Sequence, residues 1–264
     1  MKLLITGGAG FIGGNFVRHM VNKYPNYSII NVDALTYAGN LESLKDLEKK
    51  PNYKFIKADI TSKESMEEIF INEQITHVAH FAAESHVDRS IENPSIFVNT
   101  NILGTQVLLD CAKKVNISKY LQVSTDEVYG DLDFDPETFF TEQTPLSPSS
   151  PYSASKAGAD LLVLAYYETF GLPVNITRCS NNYGPYHFPE KLIPLTIAKA
   201  VNNQKIPVYG NGGNVRDWLH VIDHCRAIDM VLHDGEIGEV YNVGGHNERT
   251  NLEVVQTILK TLNK

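Results

Sequence analysis

The chain has 264 residues, 42% of them hydrophobic and 20% charged, and carries a net charge of −8 from 23 basic and 31 acidic side chains. That length fits one large domain with a smaller partner, and that balance excludes a disordered chain. The acid excess and the lack of a basic stripe speak against a nucleic-acid partner, although one local pocket on an acidic protein can still hold an anion.

In chain order, residues 2–6 (KLLIT) read as a buried strand, and residues 13–23 place Phe16, Val17, Met20 and Val21 at helical spacing. Residues 28–32 (SIINV) and 53–58 (YKFIKA) read as strands, 64–71 as a helix and 76–81 (THVAHF) as a strand. A long helical pattern over 99–114 is followed by a strand at 120–124 (YLQVS), a helix over 155–170 and a strand at 174–178 (VNITR). This alternation predicts an α/β fold, a doubly wound parallel sheet with helices on both faces.

From 181 to 216 the chain turns rich in Asn, Pro, Gly and Tyr, with one helix near 193–202. Residues 221–233 read as a helix returning to the sheet, 241–244 (YNVG) as a short strand and 251–262 as a final helix. The expected division is a dinucleotide-binding domain over 1–180, rejoined by 217–238, and a smaller substrate-binding lobe from 181–216 and 239–264. Cys111, Cys179 and Cys225 show no paired or zinc-like spacing, so they read as reduced, buried residues with no metal site. The opening MKLLITGGAG lacks the long apolar core of a signal peptide, and no stretch approaches the roughly 20 apolar residues of a membrane span. The expectation is a cytoplasmic protein without a membrane partner.

The opening TGGAGFIGG fits two glycine patterns, through Gly8 or Gly7 with Gly10 and Gly13, between a strand and a helix. Glycines let the backbone approach a pyrophosphate, and the helix N-terminus faces it with free N–H groups. Asp33 closes the second strand 20 residues after Gly13, where a carboxylate can accept both ribose hydroxyls and repel a ribose phosphate. That predicts NAD rather than NADP. Asp59 with Ile60, after the third strand, is either an adenine bracket or an ordinary turn.

Tyr152 and Lys156 stand four apart in YSASK and share a helix face. Tyrosine is a poor base at its ordinary pKa near 10, and a neighbouring ammonium is expected to lower it. This spacing is common by chance; it gains meaning beside the glycine loop and Thr125, whose hydroxyl ends the fifth strand. In STDEVYG, Asp126 and Glu127 supply an acid and a base that simple dehydrogenation does not need. To face one cleft together they must lie past the strand end, since strand neighbours point opposite ways.

With TGGAGFIGG, VDALTYAGNLESL, AAESHVDRS, STDEVYGD, SPYSASKAGAD, CSNNYGPYHFPEKLIPL, RDWLHVIDH and YNVGGHNERTN, the chain resembles the extended short-chain dehydrogenase/reductase family over essentially its whole length. Within it, the chain resembles the branch that dehydrates nucleotide-linked glucose. The resemblance implies a Rossmann domain, NAD, and dTDP-glucose as the substrate. Tyr152, supported by Thr125 and Lys156, takes the C4 hydroxyl proton while C4 gives hydride to NAD. Glu127 removes the C5 proton, Asp126 protonates the departing C6 hydroxyl, and the hydride returns to C6. The cofactor is implied to lie along Gly7, Gly10, Phe11, Ile12, Gly13, Asp33, Ala34, Leu35, Thr36, Asp59, Ile60, Phe81, Ala82, Ala83, Ser85, Thr100, Tyr152, Lys156 and Asn182. The substrate is implied to meet Ser85, Thr125, Asn181, Lys191, Leu192, Pro207, Val208, Tyr209, Arg216 and Asn251, with Arg216 on the diphosphate. His86 and Arg89 read instead as interface or helix-start residues. Family members run on for several dozen residues and close an arginine-bearing segment on the nucleotide, so either these 264 residues are a truncated form or substrate binding is completed differently; the cofactor site is expected to survive, with nucleotide affinity and catalysis less secure. A homodimer pairing 99–114 and 155–170 is implied by analogy.

Two rivals remain at this stage. A 4-epimerase or decarboxylase on the same fold needs the tyrosine and NAD, but an epimerase has no work for Asp126 with Glu127. A non-catalytic dinucleotide-binding protein needs neither the tyrosine and lysine nor the carboxyl pair.

Overall fold

The computed structural model of the chain describes residues 1–131, 139–208 and 210–264. Its strands are β1 (Lys2–Thr6), β2 (Ser28–Asp33), β3 (Tyr53–Lys57), β4 (His77–His80), β5 (Lys119–Thr125), β6 (Val174–Cys179), β7 (Asn181–Tyr183), β8 (Val215–His220), β9 (Val240–Val243) and β10 (Glu248–Thr250). Its helices are α1 (Phe11–Lys23), α2 (Lys63–Asn72), α3 (Val87–Glu92), α4 (Pro94–Phe97), α5 (Gly104–Lys114), α6 (Pro151–Phe170), α7 (Leu192–Val201), α8 (Val221–Asp234) and α9 (Asn251–Thr261).

Seven parallel strands run in the order β3-β2-β1-β4-β5-β6-β9. Central strands read as unbroken apolar runs because both faces are covered: Leu3, Leu4 and Ile5 of β1 are all fully buried. On one face α2, α5 and α6 bury Met66, Phe70, Leu108 and Val163 against the sheet. On the other, α1 and α8 bury Phe16, Val17, Met20, Cys225 and Ile228. Chain order reverses between β1 and β4, which opens a crevice at the strands' carboxyl ends. All three cysteines are free and buried. Among the described residues no helix is long and apolar enough to cross a membrane, and no group of side chains has the makings of a metal site.

The structure departs from the sequence expectation in the second half. A separate sheet, β10-β8-β7, was not anticipated, because segments as short and polar as NNY and ERT carry no period to read. Residues 217–220, expected to rejoin the large domain, belong to β8 of this small sheet, while Val240–Val243, expected in the lobe, pairs with β6 in the large one. Two helical segments start a full turn or more before periodicity indicated. α6 opens at Pro151 behind a Ser150/Ser153 capping box, a signal that marks helix starts. The 99–114 pattern belongs to a longer helical rod from Pro94 to Lys114, widened to a π turn over Val98–Leu103.

α1 and α8 are also joined by charge. Asp229, 2% exposed, meets His19 Nε2 at 2.8 Å, Lys23 Nζ at 2.6 Å and the Tyr24 hydroxyl at 2.9 Å. Burial opposes ionisation, but the hydrogen bonds from Lys23, His19 and Tyr24 outweigh it and hold the carboxyl below its ordinary range. A depressed folded-state pKa adds stability that is complete above the unfolded value and is lost as pH falls through the folded one. Asp229→Asn should therefore cost about 1–3 kcal/mol at neutral pH, and the gap from the unsubstituted chain should close in acid. Urea unfolding at both pH values checks this.

Candidate active site

Strand ends β1, β2, β4, β5 and β6 and the loops that follow them enclose a cleft of about 990 Å³. At its floor the glycine loop runs into α1. A Cβ on Gly7 would sit 2.6 Å from Ala82 N, and one on Gly13 only 2.3 Å from Gly7 O, so neither position tolerates a side chain. At Gly10 a Cβ would meet only Gly7 O, at 3.2 Å, and the residue borders the cleft. The start of α1 borders the cleft here, and the first N–H groups of a helix make a natural seat for an anion. Phe11 and Ile12 line it beside Gly13.

Asp33 receives the Ala9 N–H on Oδ2 at 2.9 Å and the Leu35 N–H on Oδ1 at 2.8 Å. Each oxygen keeps a lone pair for a hydroxyl. Ala34 and Thr36 line the cleft, whereas Leu35 does not: at φ 55° its backbone turns to serve Asp33. Asp59 takes the Thr61 N–H and hydroxyl on Oδ1 at 2.9 and 2.8 Å, the ordinary turn arrangement, yet it and Ile60 still border the cleft. Phe81, Ala82, Ala83, Ser85 and Thr100 form the wall after β4.

The strand β5 ends at Thr125, and Asp126 and Glu127 start a 3₁₀ turn, Asp126–Tyr129, so both reach the same cleft. The Thr125 hydroxyl accepts the Glu127 N–H at 3.3 Å and donates to Asp126 Oδ1 at 3.3 Å. Burial, then the neighbouring Glu127 charge, raises Asp126 to about 7. Glu127 opens to the cleft but loses enough water to its walls to be raised as well, against the pull of Arg216 and Lys191. Tyr152 and Lys156, 8% and 4% exposed, face this turn from α6. Here the structure corrects an expectation: Tyr152 lies well above its ordinary pKa, pushed there first by burial and then by Glu127. Lys156 is itself lowered by burial and donates to Val123 O at 2.9 Å.

The small sheet supplies the opposite wall. Register pairs Asn181 with Trp218 and Asn182 with Leu219, which brings Arg216, two residues before Trp218, toward the same cleft. Asn182 Oδ1 is 2.9 Å from His224 Nδ1, and its amide nitrogen donates to Ser180 O at 3.0 Å. Lys191, Leu192, Pro207 and Asn251 complete this side. Val208 lies outside, 36% exposed on the surface, and Tyr209 falls outside the described residues.

Sequence reasoning missed several wall residues, among them Tyr37, Glu84, His187 and Glu190. His187 stacks on Phe11 at 4.3 Å, a contact between segments far apart in sequence. Tyr37 and Glu84 were within reach, since both follow strand ends. His86 and Arg89, which the sequence places outside the site, tie wall loops together, His86 to Glu190 at 3.5 Å and Arg89 over the Tyr37 ring at 3.9 Å.

The family model described as GDP-mannose 4,6 dehydratase matches residues 4–264. A dTDP-glucose 4,6-dehydratase from Escherichia coli is 53% identical over 280 residues, covering all of this chain and 77% of that protein. The chain belongs to the dTDP-glucose 4,6-dehydratase family. Among solved structures, the Bacillus anthracis dTDP-glucose 4,6-dehydratase in complex with NAD is 55% identical with a TM-score of 0.93, over 100% of this chain and 81% of that one. The Streptomyces venezuelae enzyme of the same name, also with NAD bound, is 47% identical with a TM-score of 0.95 over the same shares.

The Asp126 carboxyl should titrate near neutrality, and Glu127→Gln should lower it by removing the adjacent charge. Carboxyl-carbon NMR across the pH range measures both.

Proposed function

We propose that the chain is an NAD-dependent dTDP-glucose 4,6-dehydratase, a carbon–oxygen lyase that forms dTDP-4-keto-6-deoxy-D-glucose and water with no net redox change. The observation that carries this reading is the pair Asp126 and Glu127, side by side past the end of β5, with Asp126 raised to about 7. An epimerase has no use for such a pair. The relatives' names and their NAD complexes support the same reaction.

The residues present fit NAD. The edge at Gly10 and the start of α1 would hold the pyrophosphate, and Asp33 the adenosine ribose. When bound, NAD supplies reversible hydride acceptance. Tyr152 receives the C4 hydroxyl proton; burial disfavours its phenolate, and we assign the offsetting charge to Lys156, four residues further along α6. Oxidation at C4 acidifies C5. Glu127, its ionised form favoured by Arg216 and Lys191, removes the C5 proton, and Asp126 protonates the leaving C6 hydroxyl. Arg216 and Lys191 hold the diphosphate, Ser85, Asn181 and Asn251 the remaining polar groups, and the lobe around the small sheet seats the nucleotide.

The helical rod from Pro94 and α6 leave Val98, Leu103, Leu161 and Phe170 exposed at 52%, 43%, 57% and 52%. We assign this apolar face to a homodimer interface. Leu103→Glu with Leu161→Glu should leave a monomer in sedimentation velocity.

Incubation of dTDP-glucose with the chain and catalytic NAD should yield a product lighter by one water, with no accumulation of NADH. An unchanged mass overturns the reading, and inversion at C4 makes the chain an epimerase. Asp126→Asn and Glu127→Gln should each cut turnover roughly 10²- to 10⁴-fold. Ordinary turnover should fall as pH rises through about 7, where Asp126 loses its proton.

A further inference from the structure

Behind the turn that carries Asp126 and Glu127 runs a chain of buried polar contacts to which the proposed chemistry assigns nothing. Asp160, one turn beyond Lys156 on α6 and fully buried, accepts from Arg178 Nε at 3.0 Å. Arg178, on β6 and 4% exposed, donates from Nη1 to the Tyr129 hydroxyl at 2.9 Å. Its guanidinium carbon lies 4.9 Å from the centre of the Tyr129 ring. The Tyr129 hydroxyl in turn donates to Asn242 Oδ1 on β9 at 2.8 Å. Tyr129 is the last residue of the turn that begins at Asp126.

An ion pair buried this deeply gains little stability, because desolvation offsets most of the attraction. Its contribution is a fixed direction. We infer that Asp160, Arg178 and Tyr129 are positioning residues for the acid–base pair. The ion pair rooted on the helix of Tyr152 and Lys156 sets, through the Tyr129 hydroxyl, the height and tilt of the turn that presents Asp126 and Glu127. One helix thus aligns both halves of the site. The backbone closes the same turn from below: Ser147 N donates to Val128 O at 3.0 Å, and Gly130, at φ 90°, has no room for a Cβ, which would lie 2.4 Å from Ser147 O. Removing the hydroxyl leaves Arg178 Nη1 without that acceptor and frees the turn to shift. A displacement of about 1 Å can cost a hundredfold in rate.

The catalytic consequence rests on the dehydratase reading; the structural one does not. Tyr129→Phe keeps the ring and removes only the hydroxyl. In this variant kcat should fall about tenfold with KM unchanged, and the share of cofactor held reduced during turnover should rise, because elimination slows while oxidation at C4 does not. Without substrate, carboxyl-carbon NMR should show Asp126 titrating lower than in the unsubstituted chain, as a loosened turn admits water. Asn242→Ser, which removes the far acceptor of the hydroxyl, should move the same readouts in the same direction and serves if Tyr129→Phe fails to fold. An unaltered Asp126 titration, or a kcat loss without a rise in reduced cofactor, overturns the inference. If the unsubstituted chain dehydrates nothing, the functional reading falls, and the NMR comparison alone decides this one.

Discussion

Two carboxyl groups brought side by side just past the end of one strand are the constraint on which this structure turns. Open water would bring both Asp126 and Glu127 to ordinary acidity, whereas partial burial at this turn raises both. The fold meets this by ending β5 at Thr125 and bending the chain immediately into a tight turn. Asp126, the less exposed of the two, is raised to about 7 by burial and then by its neighbour's charge. Glu127 faces the open cleft, within the field of Arg216 and Lys191. Two chemically similar side chains thereby come into different electrostatic surroundings from position alone.

The rest of the cleft follows from strand direction. In a parallel sheet all carboxyl ends emerge on one edge, so the glycine loop, Asp33, the wall after β4 and the acid–base turn arrive together. The close approach of Gly13 to Gly7 O lets α1 begin directly beneath the crevice. Asp33 is held by two backbone N–H groups, which fix its carboxylate at the edge of the cleft.

Much of this was legible in the sequence because local rules and the global fold agree. Apolar strands, amphipathic helices and glycines at a strand–helix junction each follow from a short window of residues. The requirement that Asp126 and Glu127 lie beyond the strand also followed from side-chain alternation, and the structure places them there. Other features depend on contacts between distant segments. The small sheet rests on strands as short as three residues, with no period to detect. The stacking of His187 on Phe11 and the seat of Val240–Val243 beside β6 are tertiary facts. The acidity of Tyr152 was misjudged for a physical reason: a partner cation was weighed and the burial of the phenol was not.

The interleaving of the two sheets has a consequence for how such a chain can vary. The path leaves the large sheet after β6 for β7, returns from β8 into α8, and leaves again between β9 and β10. Three covalent crossings join the two parts, and the last strand of the large sheet is made only after most of the lobe has been traversed. A lobe threaded in this way cannot be exchanged between proteins by a single cut and splice. New specificity has to arise by substitution and loop change within an intact weave, with the cofactor half carried along unchanged.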